Sequence, residues 1–303
     1  MIYILLSLLF LIIVAFLIYF YMSYFFYYNN ISNNNNLANF TENNGHIYFM
    51  TYKETSNFLT NDNDRYVRDF SELDLHARNV KTYMEYIGNI EDTAISFSEE
   101  EKALLIKCAN NADKYFKKET YKELKYGKHI NGDDIADIKW IFANTYTNHF
   151  NNVIKEYEEG LPHTRENIIF VSKNVLKYDE LNLTNTLIHE KIHIYQRYNS
   201  KLFDKIIREM GLLELDMKSF KYAKYIRSNP DTTNKIYYDN DGNINSNNDD
   251  NDNVMVYLYR NDNPNGINDV IQNNYSKEHP YEKIAYEIAE NFYKNNKNKY
   301  INI

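Results

Sequence analysis

The sequence predicts an α+β fold that is predominantly helical and lies behind an N-terminal transmembrane helix. Three observations support this prediction. Helix caps and apolar residues at three- and four-residue steps recur along most of the chain, one short run is rich in β-branched and aromatic residues, and the chain opens on a long stretch without charge. The 303 residues are enough for one large domain with a buried core.

The composition excludes several classes of protein. With a formal net charge of -8, the chain lacks the basic surface that releases counterions from phosphates, so no nucleic-acid partner is predicted. The single cysteine, Cys108, allows neither an internal disulfide nor a cysteine-based zinc cluster. The high Asn and Tyr usage resembles that of proteins from AT-rich genomes, including large DNA viruses, so a polar run alone carries little functional information.

Residues 1–28 form the predicted transmembrane helix. Residues 1–41 contain no charged side chain, and residues 2–22 are almost entirely apolar. This length meets the roughly 20 residues that a helix needs to cross the hydrocarbon core of a bilayer. A cleaved signal peptide is the alternative, but the chain has no basic start and no small-residue cleavage site. We therefore expect a single-pass membrane protein held in the lipid bilayer by residues 1–28, with its topology left open.

The remaining chain divides into a predicted tether and a predicted domain. Residues 29–66 are Asn-rich and lack helical periodicity, which is typical of a tether. Residues 67–303 form the predicted domain. Within it, residues 229–269 are dominated by Asn and Asp around a short apolar run, which predicts a solvated, low-complexity insertion. Nothing in the sequence predicts the oligomeric state.

Secondary structure inside the domain is predicted from caps and periodicity. Ser98 with Glu101 has the spacing of a capping box, and residues 167–172 form the best strand candidate because they are β-branched and aromatic. Pro280 suits the first turn of a helix, where its missing N–H has no intrahelical partner. Helices are predicted over about 135–157, 184–198, 201–211, 212–228 and 280–294.

The motif that carries chemistry is HExxH, formed by His189, Glu190 and His193. On a helix, residues four apart share a face, so both imidazoles can bind one ion. Zinc held by neutral imidazoles can activate water and polarise a carbonyl. Glu190 lies close enough to take a proton from such a water without being a ligand itself. The motif therefore predicts zinc-dependent hydrolysis.

The third ligand distinguishes the families that share this motif. A metzincin requires Gly at 196 and His at 199, but the chain has Gln196 and Asn199, so this class is excluded. The alternative is a glutamate on a second helix. The helix that begins at Pro280 offers three carboxylates: Glu282, Glu287 and Glu290.

With these two helices the chain resembles the gluzincin HExxH zinc metallopeptidases, especially small members with P-x-E-x-x-A in the third-ligand helix. Pro280, Glu282 and Ala285 match that pattern, and Gln196 matches the related form HExxHxxQ. The resemblance covers roughly residues 165–295. The chain departs from the family's NExxSD form, so the group that orients a histidine ligand is unidentified.

The resemblance implies a zincin-like domain in which His189, His193 and Glu282 bind Zn²⁺ and Glu190 acts as general base and acid on a peptide or protein substrate. Glu287 is the second candidate for the third ligand. Two other hypotheses stay open. One is a catalytically inactive zincin fold that serves as a scaffold or binding module, and the other is a structural membrane protein with an accidental motif. The oxyanion donor is also open, among three residues near the ligand helix: His279, Tyr281 and Tyr286.

Overall fold

The computed structural model of the chain describes residues 45–150, 153–239, 254–272 and 277–300. These residues fold as a mixture of helices and strands, so the predicted α+β class is confirmed at that level. The central element is strand β3, which is buried along its whole length because helices cover both faces of its sheet.

The main sheet is mixed. Strand β3 (Trp140–Thr145) carries β1 (Ile47–Phe49) in parallel and β2 (Ala94–Ile95) in antiparallel register along one edge. Along its other edge lies the parallel strand β7 (Ile168–Ser172). The antiparallel strand β6 (His163–Arg165) then pairs with β7 and forms the outer edge of the sheet.

The remaining elements surround this sheet. The α-helices of the described residues are α1 (Tyr52–Asn61), α2 (Glu72–Ala77), α3 (Tyr83–Ile90), α4 (Glu99–Lys118), α5 (Gly132–Asp137), α6 (Glu180–Tyr198), α7 (Ser200–Glu209) and α8 (Pro280–Tyr300). The small strands are β4 (Thr147–Phe150), β5 (Val153–Glu156), β8 (Leu212–Leu215), β9 (Ile236–Asp239), β10 (Val254–Met255), β11 (Tyr257–Tyr259) and β12 (Val270–Gln272).

Helix α6 lies in the main core, packed against both α4 and α8. Its residues Leu187 and Ile192 are fully buried in the same apolar cluster as Ala285 and Ala289 of α8. The small side chains of these two alanines allow the backbones of α6 and α8 to approach closely. This packing brings the helix that carries the HExxH motif against the helix that carries the candidate third ligand.

Several predicted elements are confirmed. The predicted strand corresponds to β7, and the predicted helices over 184–198, 201–211 and 280–294 correspond to α6, α7 and α8. The capping box at the start of α4 is also present. The side chain of Ser98 accepts a hydrogen bond from the backbone N–H of Glu101, whose own side chain accepts one from the backbone N–H of Ser98.

Two predicted helices are wrong. The region 135–157 contains the last turn of α5 and then strands β3, β4 and β5. Because β3 is buried on both faces, it has no alternating pattern. Its Phe142 lies by chance at helical spacing from Ile138 and Tyr146, which flank the strand. The region 212–228 contains β8 followed by short 3₁₀ turns instead of a helix.

The domain begins earlier than predicted. Strand β1 and helix α1 both lie in the range predicted to be a tether. Met50 and Leu59 are buried against the sheet, so this segment is part of the core. The predicted insertion over 229–269 likewise contributes β9, β10 and β11 to the fold, while residues 240–253 lie outside the described residues.

The prediction of a membrane-spanning protein needs correction. Among the described residues, no helix combines the length and the apolar character that crossing a bilayer requires. The segment 1–28, on which the prediction rested, lies outside the described residues.

Candidate metal centre

Helix α6 presents the HExxH motif from a rigid, buried position. Its first turn is capped by Asp179, whose carboxylate accepts the backbone N–H of Asn182 over 2.9 Å. Away from the site, the buried Lys191 pairs with Asp113 over 2.9 Å and anchors the helix to α4. On the site face, the Nε2 atoms of His189 and His193 are 3.0 Å apart.

Helix α8 supplies the third group. Glu282 lies in its first turn, is 7% exposed and points at both imidazoles. Its Oε2 atom is 3.3 Å from Nε2 of His189, and its Oε1 atom is 3.7 Å from Nε2 of His193. The structure therefore brings together the three residues that the sequence selected as metal ligands.

The geometry of this group fits a zinc ion. Ligand atoms about 2.0 to 2.1 Å from a tetrahedral zinc ion are about 3.3 Å from one another. The two imidazole nitrogens are 3.0 Å apart. Glu282 approaches His189 with Oε2 at 3.3 Å and His193 with Oε1 at 3.7 Å, and one ligand atom from each of the three residues lies within 4.8 Å of the other two. Two imidazole nitrogens and a carboxylate oxygen are also the donor atoms that zinc prefers. Within the described ranges, no other group of three His, Cys, Asp or Glu side chains is arranged to hold an ion.

The other carboxylates of α8 lie elsewhere. Glu290 is exposed and pairs with Lys294 over 2.9 Å. Glu287 is half-buried and is not part of the group formed by the two histidines and Glu282. Glu282 is therefore the carboxylate of this helix with access to both imidazoles.

Gln196 holds the ring of His193. Its side-chain nitrogen donates to the backbone carbonyl of Tyr281 over 3.0 Å, which leaves its Oε1 atom facing Nδ1 of His193 at 2.8 Å. Because Oε1 can only accept, Nδ1 must carry the hydrogen and Nε2 keeps its lone pair for an ion. Burial lowers the pKa of His193, which also favours the neutral, metal-binding form.

Glu190 is positioned to handle a proton. It is buried, and its Oε2 atom has no hydrogen-bond partner within the described part of the chain. It lines a cavity of about 320 Å³ together with His189 and Glu282. Burial, with the nearby carboxylates of Asp231 and Glu282, raises the pKa of Glu190 well above its ordinary value. An unpaired carboxyl group beside a cavity can exchange a proton with a molecule bound there.

One of the three candidate oxyanion donors reaches this cavity. Tyr286 lines it, with its ring 4.4 Å from the ring of His189. His279 is buried, and its Nδ1 atom accepts the backbone N–H of Tyr281. Tyr281 itself is buried in the main core. Tyr286 is therefore the candidate whose position suits contact with a substrate.

A segment before β9 borders the site. The side chain of Asn229 donates to Glu282 over 2.9 Å. The carboxylate of Asp231 accepts the backbone N–H of Thr164 in β6 over 2.7 Å. Arg197 donates to the carbonyl oxygens of Thr164 and Pro230 over 2.9 and 2.6 Å. The outward-facing backbone groups of Thr164 are thus occupied by this segment and by Arg197.

No family model, curated protein or solved structure matches this chain. The functional conclusion therefore rests on the geometry of the site itself. The site is formed by residues of α6, of α8 and of the segment before β9. These three parts of the chain are far apart in the sequence.

Sequence reasoning missed three residues around the ligands. Asn229 and Asp231 lie in an Asn- and Asp-rich region where neither residue type stands out, so no local pattern marks them. Arg197 follows Gln196 directly and belongs to no motif, but an arginine on a largely buried helix needs partners for its guanidinium. This need for partners is the sequence observation that could have marked Arg197.

Proposed function

We propose that this protein is a zinc-dependent peptidase of the gluzincin kind, with His189, His193 and Glu282 as metal ligands. The observation that carries the proposal is the convergence of these three groups, with one ligand atom from each within 4.8 Å of the other two and with the donor types that zinc prefers. The packing of α6 against α8 beside a mixed sheet also supports a zincin-like domain.

The chemistry follows from the residues around the ligands. Zinc bound there would supply a Lewis acid that polarises the scissile carbonyl and makes the attacking water more acidic. The charge of a bound cation would favour the ionised form of Glu190, which would then accept a proton from the attacking water on a carboxylate oxygen and deliver it to the nitrogen of the leaving amine. Gln196 keeps the lone pair of His193 directed at the site. Tyr286, at the wall of the cavity, is available to donate a hydrogen bond to the developing oxyanion.

The shape of the site is compatible with a peptide substrate. The cavity beside Glu190 is bordered by Leu161 and Pro162, which precede the edge strand, and by Tyr286 of α8. A volume of about 320 Å³ is sufficient for one or two residues of a polypeptide. We therefore expect the substrate to be a peptide or an unfolded protein segment.

The test uses the full chain. Purified protein should contain one zinc per chain by elemental analysis and should cleave a fluorescein-labelled casein. Glu190→Gln should keep its zinc and lose at least 100-fold in turnover, because the proton acceptor is gone, whereas His193→Ala should lose both. Glu290→Gln is the matched control, since Glu290 is exposed and paired at the surface. Absence of zinc from protein supplied with zinc would refute the proposal.

One observation favours a second candidate, a zinc-binding module without catalysis. Peptides commonly bind an enzyme by adding to the outer edge of a sheet. Here Asp231 and Arg197 occupy the backbone groups of Thr164 at that edge. Stoichiometric zinc without cleavage of casein or of a mixed peptide library would support this candidate over the peptidase.

A further inference from the structure

The side chain of Asn229 joins two buried carboxylates. Its Nδ2 atom donates to Oε1 of Glu282 over 2.9 Å and to Oε1 of Glu278 over 2.8 Å. Its Oδ1 atom accepts the backbone N–H of Asp231 over 2.8 Å. Both hydrogens of the amide and its oxygen are therefore in use.

This arrangement fixes the orientation of the amide. The backbone N–H of Asp231 can only donate, so it requires the oxygen of Asn229 on its side. An ionised carboxylate can only accept, so Glu278 and Glu282 require the nitrogen. An amide nitrogen with two hydrogens meets both carboxylates at once, which a hydroxyl with its single hydrogen cannot do.

Glu282 needs such a donor to serve as a ligand. Glu278 and Glu282 are both buried, and like charges in a buried site repel each other. Arg227 pairs with Glu278 and offsets one of the two charges. Asn229 binds Oε1 of Glu282, while Oε2 is the oxygen that lies nearest to His189. The amide thus holds the carboxylate so that Oε2, the oxygen it does not bind, faces His189.

We propose that Asn229 is a positioning residue that holds Glu282 in its ligand conformation. This inference rests on the proposed metal site and adds to it a residue outside the two ligand helices. Partners of this kind, which bind a ligand and not the ion, typically contribute 10- to 100-fold to metal affinity. The segment before β9, which carries Asn229, is therefore part of the proposed metal site.

The decisive variant is Asn229→Asp. It is nearly isosteric and keeps the acceptor for the N–H of Asp231, but it replaces the donor with a third carboxylate facing Glu278 and Glu282. Asn234→Asp makes the same chemical change at an exposed position of the same segment and serves as the matched control. The zinc dissociation constant is measured by competition with a chromogenic chelator, and the stability of the metal-free protein by thermal unfolding.

We expect Asn229→Asp to bind zinc at least 100-fold more weakly than the wild type, and Asn234→Asp to bind it equally well. Asn229→Ala removes the donors without adding charge, so its affinity for zinc should fall 10- to 100-fold. Its metal-free form should unfold near the wild-type temperature. Wild-type affinity in both Asn229 variants would overturn the inference and leave the metal site intact. So would a loss of affinity matched by unfolding of both metal-free variants. A wild-type chain that binds no zinc would overturn the site itself, and the inference with it.

Discussion

Oε1 of Gln196 accepts a hydrogen bond from Nδ1 of His193 over 2.8 Å. The same amide donates to the backbone carbonyl of Tyr281 over 3.0 Å, so one side chain connects the helix of His189 and His193 to the helix of Glu282. Since that carbonyl can only accept, it fixes the amide, and the amide in turn fixes the tautomer of His193. The last position of HExxHxxQ therefore acts on the candidate metal site through His193.

Gln196→Met should weaken zinc binding 10- to 100-fold, because Nδ1 of His193 loses its acceptor and the ring is no longer held. The variant should also lose about 1 to 3 kcal/mol in unfolding free energy, since the buried Nδ1–H of His193 is left without its acceptor. Chelator competition measures the affinity, and ¹⁵N spectra of the imidazole report the tautomer. Gln196→Glu keeps an acceptor for Nδ1 and should retain the Nδ1–H tautomer. Identical tautomer populations in both variants would contradict the role assigned to Gln196.

The early start of the domain predicts a stability effect in a region that the sequence marks as a tether. Leu59 in α1 is fully buried between the helix and the main sheet. Leu59→Ala should therefore lower the free energy of unfolding by about 2 to 5 kcal/mol, as expected for a cavity in a packed core. Tyr52→Ala, in the same helix but 46% exposed, is the control and should change it by less than about 1 kcal/mol. Urea unfolding measures both, and equal effects would argue that α1 is not docked.

The sequence predicts the centre of the site better than its surroundings. The HExxH spacing and the Pro280 helix are local patterns, so α6 and α8 follow from residues a few positions apart. The choice of Glu282 follows from the resemblance of the Pro280 helix to the pattern P-x-E-x-x-A. The contacts of Asn229 and Arg197 join residues more than thirty positions apart, and such pairings depend on the whole fold. The composition or periodicity of a single segment therefore does not predict these long-range contacts.

The errors in secondary structure have a similar cause. Strand β3 is covered on both faces, so it lacks the alternation that marks a half-buried strand, and its apolar residues suit either helix or strand. Strand β1 is three residues long and follows a polar stretch, so its assignment depends on pairing with β3. In both cases the decisive interaction is between elements distant in sequence.

The buried pair formed by Glu158 and Arg78 predicts acid sensitivity. Burial alone would raise the pKa of Glu158, but the guanidinium of Arg78 and the hydroxyl of Tyr86, 2.7 Å away, outweigh it and hold the pKa at about 2. Because the folded value lies below the ordinary value of 4.5, the stabilisation is complete above pH 4.5 and is lost as the pH falls toward 2. The loss should amount to about 3 kcal/mol.

Urea unfolding between pH 7 and pH 2.5, with a chelator present so that metal release does not contribute, measures this loss. Glu158→Gln should be destabilised by about 3 kcal/mol at pH 7, since the buried Arg78 loses its nearest counter-charge and keeps only Asp74, 3.6 Å away. Its stability should also depend less on pH than that of the wild type. Glu290→Gln, at an exposed position, should follow the wild-type curve. A Glu158→Gln curve parallel to the wild type would show that another group controls the acid transition.

The choice between Glu282 and Glu287 as third ligand can be tested directly. Both lie on α8, five residues apart, but only the carboxylate of Glu282 is within 4 Å of Nε2 in both histidines. Glu282→Gln replaces an anionic ligand with a neutral amide and should reduce bound zinc to a small fraction after gel filtration. Glu287→Gln makes the same change one and a half turns away and should retain one zinc per chain. Because the two substitutions alter charge and volume equally, a difference between them reports position on the helix. Zinc lost from Glu287→Gln and kept by Glu282→Gln would require α8 to turn its other face to the histidines, which would place Ala285 and Ala289 outside the contact with α6.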